Sequence, residues 1–215
     1  MNQIPQLYQA AQSACQHKRF EQAEYFLQKL LNLSPDLPSA VFLLGFSCFK
    51  QMKLAEARSH FIKLVGKIDN PDLFFFLGFI SYKLLKVEES INYLKQALQL
   101  NINHFNSLKE LAKVYLLEKN YTESLTYYQR CIDLQPNSVE LMIYLGLVYE
   151  QMNEKHKAIS QGEQAEKRAN DPEIYQQLQT KIFLHYASAL LTKGSFEQAI
   201  HYQQRADRIL QKGTE

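Results

Sequence analysis

Six histidines and three cysteines are the side chains of this 215-residue chain best suited to metal binding or nucleophilic catalysis. A structural zinc site needs His and Cys in local pairs, and a nucleophile needs a base beside it. Neither pattern occurs. His17, His60, His104, His156, His185 and His201 are scattered, and there is no CxxC, no HExxH and no Gly-rich phosphate loop. Cys15 has no adjacent base, and an odd cysteine count argues against a disulfide framework. The expectation is a chain that is not an enzyme, with no catalytic residue, no cofactor and no metal.

What remains distinctive is aromatic and cationic. There are 13 Phe, 13 Tyr and no Trp. Two segments, AVFLLGFSCF (40–49) and LFFFLGFISY (73–82), are apolar nearly all round. Lys109 and Lys113 stand one helical turn apart and can pair with an acidic group. Overall, 24 basic against 22 acidic side chains leave a formal charge of +2. Nucleic-acid binding needs a concentrated basic face, so no nucleic-acid partner is expected. The opening MNQIPQLYQAAQSACQHKRF has neither a basic n-region nor a long apolar run, so it does not read as a secretory signal. The most apolar stretch, Leu73 to Tyr82, is half the ~20 residues of a membrane span. These features predict a cytoplasmic chain with reduced thiols and no membrane insertion.

The elements that position these groups follow from a repeat. Seven Gly and six Pro are too few for the turns of an all-β protein, which points to helices on short links. LLGFSCF (43–49), FLGFISY (76–82), ELAKVYL (110–116) and YLGLVYE (144–150) recur every 33 or 34 residues. A second motif alternates with them: FEQAEYFLQKLL (20–31), LAEARSHFIKL (54–64), VEESINYLKQAL (87–98), YTESLTYYQRCI (121–132) and FEQAIHYQQRADRI (196–209). Each period reads as two amphipathic helices, A and B. Small residues in A (Ala11, Gly45, Gly78, Ala112, Gly146, Ala187) and in B (Ala23, Ala57, Ser90, Ser124, Ala158, Ala199) allow the two backbones to approach. Asn70-Pro71-Asp72 and Asn170-Asp171-Pro172-Glu173 are helix starts, while Pro35 and Pro136 close B helices.

This pattern resembles the tetratricopeptide repeat (TPR). The fourth copy carries the resemblance best, with Leu108, Leu111, Ala112, Tyr115, Tyr121, Ser124, Tyr128 and Pro136 in the family order and Cys131 in place of the usual Ala. The resemblance implies an all-α TPR superhelix, a right-handed solenoid of helix-turn-helix repeats. It would form one array over 1–215, with repeats at 4–37, 38–70, 71–104, 105–138, 139–172 and 180–213 and a helical insertion at 173–179. Two late-aromatic positions depart from the family: Gly162 in repeat five and Gln203 in repeat six. The polar last helix is expected either to cap the array itself or to mediate self-association through the terminal repeat.

In this family ligands lie in a concave groove lined by A helices, at repeat positions 2, 5, 9 and 12. The resemblance carries that groove onto Tyr8, then Phe42, Phe46 and Phe49, then Phe75, Phe79 and Tyr82, then Lys109, Lys113, Ile143 and Leu147. The implied function is a non-catalytic interaction module or scaffold. Its partner would be a protein or peptide, an apolar or aromatic segment or amphipathic helix with an acidic group. Alternatives are a secretion- or assembly-type chaperone for one client, or an accessory TPR segment of a larger enzyme complex. Two competing outcomes for the aromatic face are that the rings pack on one another or that the chain's own end covers them. The family's carboxylate clamp is matched only in part, by Lys109 and Lys181: Lys113 and Tyr144 stand where it has Asn, and His185 where it has Arg.

Overall fold

The computed structural model describes residues 3–212. Gly213, the last residue of the sixth expected repeat, lies outside them. The described residues form twelve α-helices and no strand: α1 (Gln3–Gln16), α2 (Phe20–Leu33), α3 (Pro38–Lys50), α4 (Leu54–Ile62), α5 (Pro71–Lys83), α6 (Val87–Leu100), α7 (Phe105–Leu117), α8 (Tyr121–Leu134), α9 (Val139–Gln151), α10 (Lys155–Ala169), α11 (Pro172–Thr192) and α12 (Phe196–Lys212). Odd-numbered helices are A helices and even-numbered ones are B helices. Residues 173–179 lie inside α11, which runs for 21 residues.

Local chemistry sets the helix starts. The Asn70 side chain accepts from the Asp72 N–H, and Asp171 accepts from Glu173 and Ile174, each ahead of a proline in the first turn. Ser138 caps α9 by accepting from Leu141 N–H. Each cap satisfies amides that have no intrahelical partner.

All six A-to-B turns share one geometry. Lys18, Met52, Leu85, Lys119 and Asn153 have φ of 58 to 62°, and Gly194 has φ 72°. The next residue's N–H returns to a carbonyl five positions back: Arg19 to Ala14, Lys53 to Cys48, Lys86 to Ser81, Asn120 to Tyr115, Glu154 to Tyr149 and Ser195 to Leu190, at 2.8–3.0 Å. This is the Schellman closure, which satisfies helix-end carbonyls and reverses the chain at once. Only the sixth turn places glycine at the left-handed position. Left-handed backbone costs a side-chain-bearing residue about 1–2 kcal/mol, partly offset by the greater unfolded-state freedom of glycine. Leu85 is 70% and Met52 66% exposed, so replacing either forfeits little burial. Leu85→Gly and Met52→Gly are each expected to stabilise the protein by about 0.5–1 kcal/mol, read as a higher urea midpoint.

The chain divides after Ser107 into two compact units, and α7 begins just before that division. In the first unit α2 packs between α1 and α3, and α4 between α3 and α5, with α6 on α5. Its core runs through the small A–B contacts: Ala11 and Ala23, Gly45 and Ala57, Gly78 and Ser90 are all buried. In the second unit the Ser124 hydroxyl donates to the Ala112 carbonyl at 2.8 Å, fixing α8 on α7. Here α9 packs on α8 and α10, and α11 on α9, α10 and α12. The last helix does not leave its late-aromatic space empty. Tyr202, one residue before the expected Gln203, is 1% exposed and packs on Phe183 and Tyr186 at 5.7 and 4.9 Å. The buried stripe of α12 is thus Ala199, Tyr202 and Ala206.

Candidate aromatic face and interhelical cavity

The first unit gathers five of the seven aromatic candidates that fall within it. Phe49 meets Phe79 edge-on at 5.4 Å, and Phe75 lies 6.3 Å from Phe79. Phe42, Phe46, Phe49 and Phe75 all converge on Phe76, at 6.1, 5.7, 5.0 and 5.2 Å. Phe76 also stacks on the buried ring of Phe61 at 5.3 Å. The rings therefore do pack on one another, through a hub at repeat position 6 that the groove positions skip. Phe76 is buried, whereas Phe42, Phe46, Phe49, Phe75 and Phe79 each stay half-exposed. Tyr8 is half-buried and packs on the core of this unit, and Tyr82 is half-buried one turn beyond Phe79.

Cations stand over this face. Lys50 Nζ lies 5.2 Å from the Phe46 ring centre and 5.9 Å from that of Phe49, and Lys83 Nζ 5.5 Å from that of Phe79. Ammonium groups over ring faces are attracted by the ring quadrupole. The sequence reading did not include these lysines, although each directly follows a groove aromatic in its A helix.

The second unit treats its candidates differently. Lys109 pairs with Glu140 at 3.5 Å, and Lys113 lies 5.3 Å from the Tyr144 ring centre. Ile143 and Leu147 are buried, at 5% and 2% exposure, because the sixth helix pair closes over them. They face a cavity of about 450 Å³ bounded by α9, α10, α11 and α12. Ile159, Tyr175 and Phe183 complete its apolar wall. At one side Arg205 makes a two-pronged pair with Glu150, at 2.7 and 2.8 Å, and lies over the Phe183 ring at 4.4 Å.

One further cluster has ligand types. Oxygen atoms of Glu24 and Glu56 and the Cys48 sulfur lie within 4.8 Å of one another. Glu24 already accepts from Lys53 Nζ at 2.8 Å and Gln51 Nε2 at 2.7 Å. Burial pushes the Cys48 thiol up to about 11, so it keeps its proton at neutral pH. A cation there would have to displace Lys53 and deprotonate Cys48. The arrangement serves as an ion-pair network tying α2 to the α3–α4 turn.

These groups give the first unit a defined pH dependence. Burial, with Lys63 nearby, holds His60 below the usual 6.5. Burial raises Glu24, but the hydrogen bonds from Lys53 and Gln51 outweigh it and leave the carboxyl below 4.5. The Arg58 hydrogen bond likewise lowers Glu89. All three bind protons more readily when unfolded, so their contribution is present above the unfolded values and is lost as pH falls through the folded ones. The urea midpoint is expected to fall on acidification below 6.5 and again below 4.5. A midpoint that rises over that range would contradict the assignment.

The tetratricopeptide repeat family model matches residues 103–171. That match covers about a third of the chain. The chain is similar to anaphase-promoting complex subunit 3 of Schizosaccharomyces pombe, 28% identical over 72 residues, which are 34% of this chain and 11% of that relative. The match thus spans about a ninth of the relative's length. Among solved structures, the chain is similar to MamA, with a TM-score of 0.71 at 17% identity, covering 79% of this chain and 94% of that one. It is also similar to YrrB, described as a TPR protein with an unusual peptide-binding site, with a TM-score of 0.65 at 23% identity, covering 77% and 86%. At these identities the likeness shows the fold, an all-α tetratricopeptide-repeat architecture. Among the described residues no helix is long and apolar enough to cross a membrane.

Proposed function

We propose that this chain is a tetratricopeptide-repeat protein, a non-catalytic, cytoplasmic interaction scaffold of six repeats. Its aromatic face on α3 and α5 docks an apolar peptide segment or amphipathic helix that carries an acidic residue. The observation behind this reading is the half-exposed ring surface of Phe42, Phe46, Phe49, Phe75 and Phe79 beneath Lys50 and Lys83. Aromatic anchors supply large contact area at low entropic cost, and the cations select a partner with a negative charge near its apolar residues. Tyr8 and Tyr82 extend the face, and Lys109 and Lys113 favour acidic neighbours in the second unit. The peptide-binding description of YrrB supports a peptide as the kind of partner.

The test is a peptide selected from a random displayed library on the full chain, then labelled for fluorescence polarisation. The double variant Phe46→Gln, Phe79→Gln is expected to weaken its binding on the order of thirtyfold, the loss of one hot spot of about 2 kcal/mol, with helicity retained. Unchanged affinity would reject the face.

A further inference from the structure

The cavity of the second unit has an origin in the repeat. At the late-aromatic position the earlier pairs place Phe61, Leu94 and Tyr128, each fully buried. The fifth pair places Gly162, and a Cβ there would come no nearer than 3.8 Å to anything, the nearest atom being Tyr175 Oη. The matching A-helix glycine, Gly146, is loosely packed too, with Ala158 O at 3.5 Å from a built Cβ. Glycine inside a helix costs about 1 kcal/mol against alanine, so the empty space is kept at the expense of stability.

Three features define what fits. The space of about 450 Å³ is roughly three times the ~150 Å³ cavity known to admit benzene, so it exceeds one ring. Its walls, Ile143, Leu147, Ile159 and Phe183, are apolar, with Tyr175 Oη and the Gln179 amide among the few polar groups. A peptide backbone entering there would leave N–H and C=O groups unpaired, which disfavours a protein segment. The charge at the mouth is positive. Arg205 neutralises Glu150, while Lys155 lines the opening with no ion-pair partner among the described residues, in a first turn of α10 that carries no acidic side chain.

We propose that this cavity binds a small amphiphile: an apolar chain ending in a carboxylate, the chain among Ile143, Leu147 and Phe183 and the carboxylate at Lys155. The site is separate from the aromatic face of the first unit and does not depend on it.

Isothermal titration of the full chain with decanoate and with decan-1-ol tests this. Both guests are expected to bind one per chain. Gly162→Leu fills the space and is expected to abolish both bindings while the protein keeps its helicity. Lys155 is exposed, so Lys155→Gln folds normally; it is expected to weaken decanoate about three- to fivefold and leave decanol unchanged. No binding of decanoate to the parent chain overturns the proposal, as does binding that survives in a folded Gly162→Leu variant. Equal effects of Lys155→Gln on both guests overturn the carboxylate assignment.

Discussion

Phe76→Ala is expected to destabilise the first unit by about 3–5 kcal/mol, the cost of deleting a buried ring. Phe76 is 9% exposed and touches the rings of Phe42, Phe46, Phe49, Phe61 and Phe75. Truncation removes the apolar transfer gain and leaves a hole beneath the aromatic face. The surrounding rings are held by α3, α4 and α5, so they close over it only in part. Phe79→Ala deletes the same ring from a half-exposed position and is expected to cost distinctly less. Urea unfolding followed by circular dichroism separates the two. A Phe76→Ala loss below about 1 kcal/mol would show that the rings are not a shared core.

The second large effect has opposite signs at two helical glycines. At Gly78 a built Cβ lies 2.6 Å from Leu94 Cγ and 3.1 Å from the Ser90 carbonyl oxygen. Leu94 is fully buried and cannot swing away, so α5 and α6 must separate. Gly78→Ala is expected to cost about 1–3 kcal/mol, the usual range for overpacking. At Gly162 the same methyl meets open space, and Gly162→Ala is expected to stabilise by about 1 kcal/mol through helix propensity. Unfolding midpoints that move the same way in both variants would contradict this packing account.

The helix pairs were legible in the sequence because the period is a property of the core. Gly45, Gly78 and Ala57 recur where two helix backbones meet, with Phe61 packed against Gly45. The turn chemistry was not legible, since Met52 and Leu85 are poor residues for left-handed backbone and nothing local announces them there. Backbone closure onto Cys48 and Ser81 imposes that conformation from outside. The aromatic face was half legible. Its outer rings follow from helix spacing, but the hub Phe76 sits at a position where A-helix side chains turn between groove and core. Ile143 and Leu147 have the same spacing as Phe75 and Phe79, yet they are buried. Their cover is the sixth helix pair: the helical insertion at 173–179 announces the long α11, but no repeat register predicts the displaced Tyr202.

The claim that an apolar segment docks on the α3–α5 aromatic face is tested most directly by photo-crosslinking. The library-selected peptide, carrying a benzophenone at its main apolar position, is irradiated on the full chain and the adducts are mapped by mass spectrometry. The expected adducts fall on α3 and α5, at or beside Phe46, Phe49, Phe79 and Tyr82. Adducts confined to the B helices α2, α4 and α6, or to the second unit, would contradict it.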